Sequence, residues 1–428
     1  MTSLADLSAT TLLRRIQAGK TSATEVMEAC LARIAAREPT LRAFAHFDAE
    51  AARQAARAAD AAPAGGKLRG LPLGVKDILD VAGMPTCNNS PVWDGWRPRA
   101  DAACVALARG EGAAVIGKTV TTEFATRQPG PTANPHNPAF TPGGSSSGSA
   151  AGVAAGFFPL AFGTQTAGSI LRPAAYCGVV GYMPTHGLIH RAGMKVMSEE
   201  LDTIGAIART VADCALLISA VTGINLGEPE RRPERAPRLM LCLGPTAGMA
   251  EPETLALMER AAEAARRAGA EVVACEMPAE VAAAHAAHPL VMNGEGAQAL
   301  AWELADHFAL LSEVLRTRLV EARARPAATL QAARATFRTA RAAFPAVLKG
   351  FDAILTPATS GEPPEGLGWT GDPAFNSLWT ALHLPCVTVP AGHGPRGLPL
   401  GVQLVGQQDD DCALLGWAEW MRDALAVS

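Results

Sequence analysis

GGSSSGSAAGVAAGFFPLAFGTQTAGS, residues 143–169, is the stretch whose reading decides the fold. Two Gly/Ser clusters flank an apolar run, and between Arg127 and Arg172 no residue carries a formal charge. A flexible Gly/Ser linker would stay polar throughout. Here the hydroxyls must enter an apolar environment, where each needs a hydrogen-bond partner. The plainer alternative is a set of tight turns and closely packed backbone.

Outward from that stretch, short apolar runs alternate with helical ones, as in a layered α/β protein. On the N-terminal side, LPLGVKDILDV (71–81) reads as a strand, 101–109 as a helix and AAVIGK (113–118) as a second strand. Ser22 and Glu25 form a capping box ahead of a helix, and Asp48 starts an Ala-rich helical run to Ala62. On the C-terminal side, Thr210 and Asp213 cap a helix that stops at Gly223. The Pro- and Arg-rich segment 224–238 reads as a surface crossing between two lobes. Helical sequence then dominates to Leu348, after which AILTP, CVTVP and GVQLVG are strand candidates before a closing helix from Cys412. Strands at both ends of the chain predict one sheet built from both, with a helical excursion (236–350) between them.

Composition narrows the function. The 428 residues carry a net charge of −4, with 18% charged and 49% hydrophobic residues, a balance unlike that of nucleic-acid-binding or disordered chains. Mean hydropathy is +0.13, yet the longest apolar stretch, 150–163, is too short to span a membrane. Nine scattered Cys without a CxxC pair read as reduced thiols, and the N-terminal MTSLADLSATTLLRR lacks an apolar signal-peptide centre. A cytoplasmic location is expected.

Several strings match motifs whose mechanics they fail. GAAVIGKT (112–119) has the Walker A pattern, but its Ala-Ala-Val-Ile favours a buried strand over a phosphate loop. Gly366, Gly368 and Gly371 lie between Pro-rich neighbours that deny them a strand and a helix. Gly144–Gly148 satisfies G-x-S-x-G, but Pro breaks the strand a nucleophile elbow needs. The pairs His186/His190 and His285/His288 lack further ligands, so neither metal nor cofactor is expected.

Lysine is the informative residue. There are six Lys against thirty-one Arg, and Lys76 sits inside an apolar segment. Desolvation drives a Lys toward the neutral amine, a usable base, which Arg cannot become. A Lys76–Asp77 surface pair or a snorkelling side chain is the alternative.

Together GLPLGVKD, NPHNPAFTPGGSSSGSAAGVAAG, GTQTAGSILRPAAYCGVVGYMPT, LDTIGAIARTVADCALL, FDAILTP, TGDPAFNSLWT and LPLGVQLVG resemble the amidase signature family over nearly the whole chain. The resemblance implies a single α/β/α domain over 1–428 with a mixed central sheet. It also implies a Ser–cis-Ser–Lys triad of Lys76, Ser145 and Ser169, with the cis bond between Gly144 and Ser145. Backbone N–H groups of Thr166, Ala167, Gly168 and Ser169 would form the oxyanion hole. Gln165 and Ala167 depart from the usual acid and Gly. The motifs look closest to malonamidase-type members, in which Arg172 would be either a carboxylate clamp or a tie for the nucleophile loop. Pocket walls are expected near 291–294 and 369–379.

The resulting expectation is hydrolysis of a small amide through a Ser169 acyl-enzyme. Aryl amides or carbamates are the alternative substrates. A glutaminase component of a tRNA-dependent amidotransferase is the alternative from another class, and an inactive binding module is disfavoured by the complete triad. The partner is a small-molecule amide, with no nucleic acid and no membrane, and a homodimer is left open.

Overall fold

The computed structural model describes residues 3–62, 65–231 and 233–426. Met1 and Thr2 of the N-terminal stretch and Arg232 of the Pro/Arg-rich crossing lie outside the described residues. The N-terminal part comprises α1 (Ala9–Gln17), α2 (Ala23–Leu41), β1 (Phe44–Phe47), α3 (Ala49–Ala61), β2 (Pro72–Lys76), α4 (Ala103–Gly110) and β3 (Ala114–Thr119). Next come α5 (Ser147–Ala155), β4 (Leu160–Gln165), α6 (Leu171–Cys177), β5 (Val180–Met183), β6 (Thr203–Ala208) and α7 (Val211–Thr222). The excursion holds β7 (Arg238–Leu241), α8 (Pro252–Arg267), β8 (Glu271–Ala274), α9 (Ala279–Ala299), α10 (Ala301–Asp306), α11 (Glu313–Ala324) and α12 (Ala327–Val347). The chain closes with β9 (Ala353–Pro357), α13 (Ser377–Ala381), β10 (Cys386–His393), β11 (Pro399–Val405) and α14 (Asp411–Ala426).

All the strands join one mixed sheet in the order β1-β3-β2-β4-β6-β5-β10-β11-β9-β7-β8. The β3-β2-β4 and β9-β7-β8 groups are parallel, while the middle of the sheet and the β1 edge are antiparallel. Every residue of β2, β3, β4, β5, β6, β9 and β11 is buried, so both faces of the sheet are covered and the architecture is a three-layered α/β/α domain. The edge strand β8 is exposed at its ends, as edges are.

Local chemistry accounts for the element boundaries. Ser22 and Glu25 make the reciprocal capping box at the start of α2, and Asp48 accepts from the N–H groups of Glu50 and Ala51 at the start of α3. The strand expected over 71–81 ends at Lys76, because the N–H groups of Ile78 and Leu79 turn back to the Lys76 carbonyl at 2.8 and 3.0 Å. The excursion is not wholly helical: RLML and EVVA form β7 and β8, which extend the same sheet beyond β9. The crossing at 224–238 therefore links two parts of one sheet rather than two lobes. The Walker-like GKT lies at the end of β3, with Lys118 and Thr119 fully buried.

Because β2 and β4 are parallel neighbours, their C-terminal ends emerge side by side. β2 delivers Lys76, and β4 runs through Thr164 into the loop that carries Ser169. The C-terminal edge of parallel strands is where open α/β sheets place their ligands.

Candidate active site

Lys76 is completely buried, and its Nζ lies 2.7 Å from Ser145 Oγ, 2.7 Å from Thr164 Oγ1 and 3.2 Å from the Thr164 carbonyl. No carboxylate makes an ion pair with it among the described residues. Burial holds its pKa well below the ordinary lysine value, opposed only in part by the charge of Asp202. Asp77, its sequence neighbour, turns instead to Lys118 at 2.7 Å, so the Lys76–Asp77 pair does not form. The neutral amine has two N–H groups and one lone pair. The Thr164 oxygens can take the two N–H groups, and the lone pair then receives the Ser145 hydroxyl.

Ser145 follows a cis peptide bond from Gly144 and is buried. Gly143 just before it has φ 79°, and a Cβ there would stand 2.9 Å from Pro173 Cα, so the turn requires glycine. The Ser146 N–H donates to the Ser169 carbonyl at 3.2 Å, which fastens the Ser145 loop to the Ser169 loop. Ser147 and Ser149 donate to the carbonyls of Val120 and Phe162 at 3.1 and 2.9 Å. The buried hydroxyls thus find the partners that the uncharged stretch demanded.

The segment from Thr166 to Ser169 is held from several sides. Gln165 Oε1 accepts from the N–H groups of Ile170 and Leu171 at 2.9 and 3.2 Å, and its amide donates to Thr380 Oγ1 at 3.0 Å. A neutral amide serves here because the same side chain must both accept and donate. Thr380 donates to the Ala167 carbonyl at 2.8 Å, and Thr166 Oγ1 donates to Asp202 at 2.5 Å. Ala167 is absent from the positive-φ residues, so its Cβ causes no backbone strain. Gly168 is packed so closely that a Cβ would approach Asn376 Oδ1 to 2.4 Å. The N–H groups of Ala167, Gly168 and Ser169 find no acceptor among the described residues.

Sequence reasoning missed His288. Its Nε2 lies 2.8 Å from the Thr166 carbonyl, and burial depresses its pKa to about 4, so the neutral ring donates to that carbonyl. The Thr166–Ala167 peptide plane is fixed from the far side of the loop. The other histidine of the suspected pair, His285, is also depressed by burial, while His186 stacks on His383 with ring centroids 3.9 Å apart. No group of three His, Cys, Asp or Glu residues suited to a metal occurs among the described residues.

Ser169 opens into a cavity of about 640 Å³, solvent at its mouth included, walled by Thr166, Ala167, Met197, Leu315, Leu319 and Pro373 among others. The expected wall segments contribute Met292, Asn293, Thr370, Gly371 and Pro373. Arg172 also borders it. Its Nη2 donates to the Gly144 carbonyl at 2.7 Å and to Thr370 Oγ1 at 3.3 Å, the geometry of a loop tie.

The pattern of the family described as Amidase matches residues 25–415. Among curated proteins, a glutamyl-tRNA(Gln) amidotransferase subunit of Salinispora arenicola is 39% identical over 305 residues, 65% of this chain and 62% of that protein. Its counterpart in Rhodopirellula baltica is 42% identical over 228 residues, 51% of this chain and 46% of that one. The chain spans less than two thirds of the length of these curated relatives. The native peptide amidase from Stenotrophomonas maltophilia superposes with TM-score 0.82 at 30% identity, covering 98% of this chain and 97% of that one. An inhibitor-bound complex tied to the evolutionary origins of an s-triazine catabolic enzyme superposes with TM-score 0.88 at 28% identity, covering 97% of this chain and 98% of that one. No helix of the described residues is long and apolar enough to cross a membrane. With the family pattern running from α2 into α14 and family structures superposing end to end, this chain belongs to the Amidase family, the amidase signature enzymes, which act on amide bonds.

Proposed function

We propose that the chain hydrolyses the C–N bond of a small amide by acyl transfer through Ser169. The observation that carries this reading is the sealed Lys76 amine, 2.7 Å from Ser145 Oγ and without a carboxylate partner. In the first half-reaction the Ser169 hydroxyl proton passes to Ser145 Oγ as the Ser145 proton passes to the Lys76 lone pair. Ser169 Oγ bonds to the amide carbon, and the carbonyl oxygen becomes an oxyanion facing the N–H groups of the loop from Thr166 to Ser169. The oxyanion collapses, the C–N bond breaks and the leaving nitrogen takes the proton back from Lys76 through Ser145. Water then repeats the sequence on the acyl-enzyme and releases the acid. Arg172, donating to the Gly144 carbonyl, keeps the peptide before Ser145 in place.

Ser169→Ala tests this directly. It should lower kcat/KM for small amides by at least about 10⁴-fold while the denaturation midpoint stays put. Mass spectrometry of the quenched wild-type reaction should find an acyl adduct on the peptide containing Ser169. Undiminished turnover by the alanine variant would sink the mechanism.

A second reading is favoured by the names of the curated relatives: a glutaminase that acts as one component of an amidotransferase. Amide turnover by the purified chain alone argues for the first reading. Turnover that appears only with copurified partner subunits argues for the second.

A further inference from the structure

From Thr166 to Ser169 every carbonyl of the nucleophile loop has a donor. The Thr166 carbonyl lies 2.8 Å from His288 Nε2, and the Ala167 carbonyl accepts from Thr380 Oγ1 at 2.8 Å. The Gly168 carbonyl accepts from the Arg172 N–H at 3.0 Å, and the Ser169 carbonyl from the Ser146 N–H at 3.2 Å. The N–H groups of Ala167, Gly168 and Ser169 have no acceptor among the described residues. Four separate parts of the chain thus hold one short run of backbone by its carbonyls and leave its amides free.

In a trans peptide the C=O and N–H of one plane point in opposite directions. The cis bond of the described residues is Gly144–Ser145, so the Thr166–Ala167 peptide is trans, and a donor that fixes the Thr166 carbonyl also fixes the direction of the Ala167 N–H. Thr166, Ala167 and Ser169 line the cavity, whereas His288 does not. The imidazole therefore stands behind the loop. Of the four holds it alone comes from the excursion, on α9. Burial depresses its pKa to about 4, and the charges of Arg318 and Arg127, which line the cavity, act in the same direction. A neutral imidazole that faces a carbonyl through Nε2 carries its proton there, so the tautomer is set.

We propose that His288 is a positioning residue for acyl transfer, one that aims the Ala167 N–H at the developing oxyanion by holding the Thr166 carbonyl. This rests on the Ser169 acyl-transfer reading and adds to it a side chain that never touches the reacting atoms. As the Ala167 N–H meets growing negative charge, its peptide is polarised and the Thr166 carbonyl becomes a better acceptor. The bond to His288 is then stronger in the transition state than with substrate merely bound, and its effect belongs to the chemical step rather than to binding.

A fluorophosphonate carrying a fluorescent reporter tests this whatever amide the chain prefers. Ser169 Oγ bonds to phosphorus, the P–F bond breaks, fluoride leaves and the serine proton passes through Ser145 to Lys76, while the phosphoryl oxygen gains charge beside the loop amides. Removing an oxyanion donor outright costs about 10²- to 10³-fold, so a donor present but poorly aimed should cost about 10- to 100-fold. His288→Met and His288→Phe, which lack a donor, should lower the maximal labelling rate by that factor and leave the half-saturating probe concentration nearly unchanged. His288→Gln, whose amide nitrogen reaches about as far as Nε2, should recover most of the loss. All three should keep the pH midpoint of labelling, because none touches Lys76. Rates are taken per molecule that becomes labelled, so unfolded chains do not enter them.

Wild-type rates in the methionine and phenylalanine variants overturn the assignment, as does a glutamine variant no faster than the methionine one. A shifted pH midpoint, or a loss carried by the half-saturating concentration, also overturns it. If neither donor-less variant folds while the glutamine variant does, the bond is a folding requirement and the assignment falls. Ser169→Ala, run alongside, separates the two layers. A wild-type chain that resists the probe, or an alanine variant that reacts like wild type, refutes acyl transfer, whereas Ser169-dependent labelling that ignores residue 288 refutes only the role of His288.

Discussion

Lys76 ends β2, and Lys118 lies opposite Val75 on the parallel neighbour β3. Both side chains are completely buried, and burial lowers the pKa of both. Lys118 Nζ meets Asp77 at 2.7 Å, Thr86 Oγ1 at 2.7 Å and the Pro85 carbonyl at 3.2 Å. Its charge is compensated, and three acceptors suit the three N–H groups of an ammonium. Lys76 has a carbonyl and two hydroxyls, and among the described residues the one charge that acts on it is that of Asp202, which makes no ion pair with it. A buried carboxylate thus separates a paired lysine from one whose amine burial drives toward the neutral form. Asp77, next to Lys76 in sequence, is spent on the other lysine.

Replacing each lysine with methionine should drive the two apart most strongly. Lys76→Met should lower kcat/KM by about 10²- to 10⁴-fold, the value of a general base, while the denaturation midpoint holds or rises because no ammonium need be desolvated. Retained turnover would make Lys76 another structural lysine. Lys118→Met should do the reverse, retaining kcat/KM per folded molecule within a few-fold and losing about 3–5 kcal/mol of stability as Asp77 is left unpaired. Burial already raises the Asp77 pKa, and removing Lys118 raises it further. A folded pKa above the unfolded value favours folding at low pH. The deficit measured by urea denaturation should therefore be greatest at neutral and alkaline pH and shrink as Asp77 takes up a proton in acid.

A smaller effect should appear in the pH profile. If Lys76 is the base, kcat/KM rises with pH as its ammonium deprotonates. Asp202→Asn removes the one carboxylate that raises the Lys76 pKa, so the rising limb should move to lower pH. An unmoved limb would assign it to another group. His288, the histidine that touches the Thr166 to Ser169 loop, is held at about 4 by burial and does not supply a limb above that range.

What the sequence disclosed follows from range. Lys76 was legible because an ammonium in LPLGVK is anomalous within a few residues, and the Ser145 to Ser169 stretch because uncharged Gly/Ser clusters around an apolar run are anomalous within thirty or so. The capping of α2 was legible for the same local reason. His288 was not: its bond to Thr166 spans 122 positions, while its own neighbourhood, HAAH, mimics a ligand pair. Arg318 sits among many arginines on a helix, and only folding shows that it faces the cavity. The strands β7 and β8 escaped notice because each is four residues long and bordered by charged or helical sequence. Lys118 was set aside with a failed phosphate motif, and nothing local reveals that it captures Asp77 across 41 positions.

The strand order has a consequence for how the molecule is made. β10 and β11 lie between β5 and β9, so residues 386–405 join a block built before residue 209 to one built after residue 237. As the chain leaves the ribosome, β5 and β9 each present an unsatisfied edge until those strands arrive. Open edges of this kind invite pairing with foreign strands. Until residues 386–405 have been made, the two half-sheets have no strands to join them, and the edges of β5 and β9 stay open together.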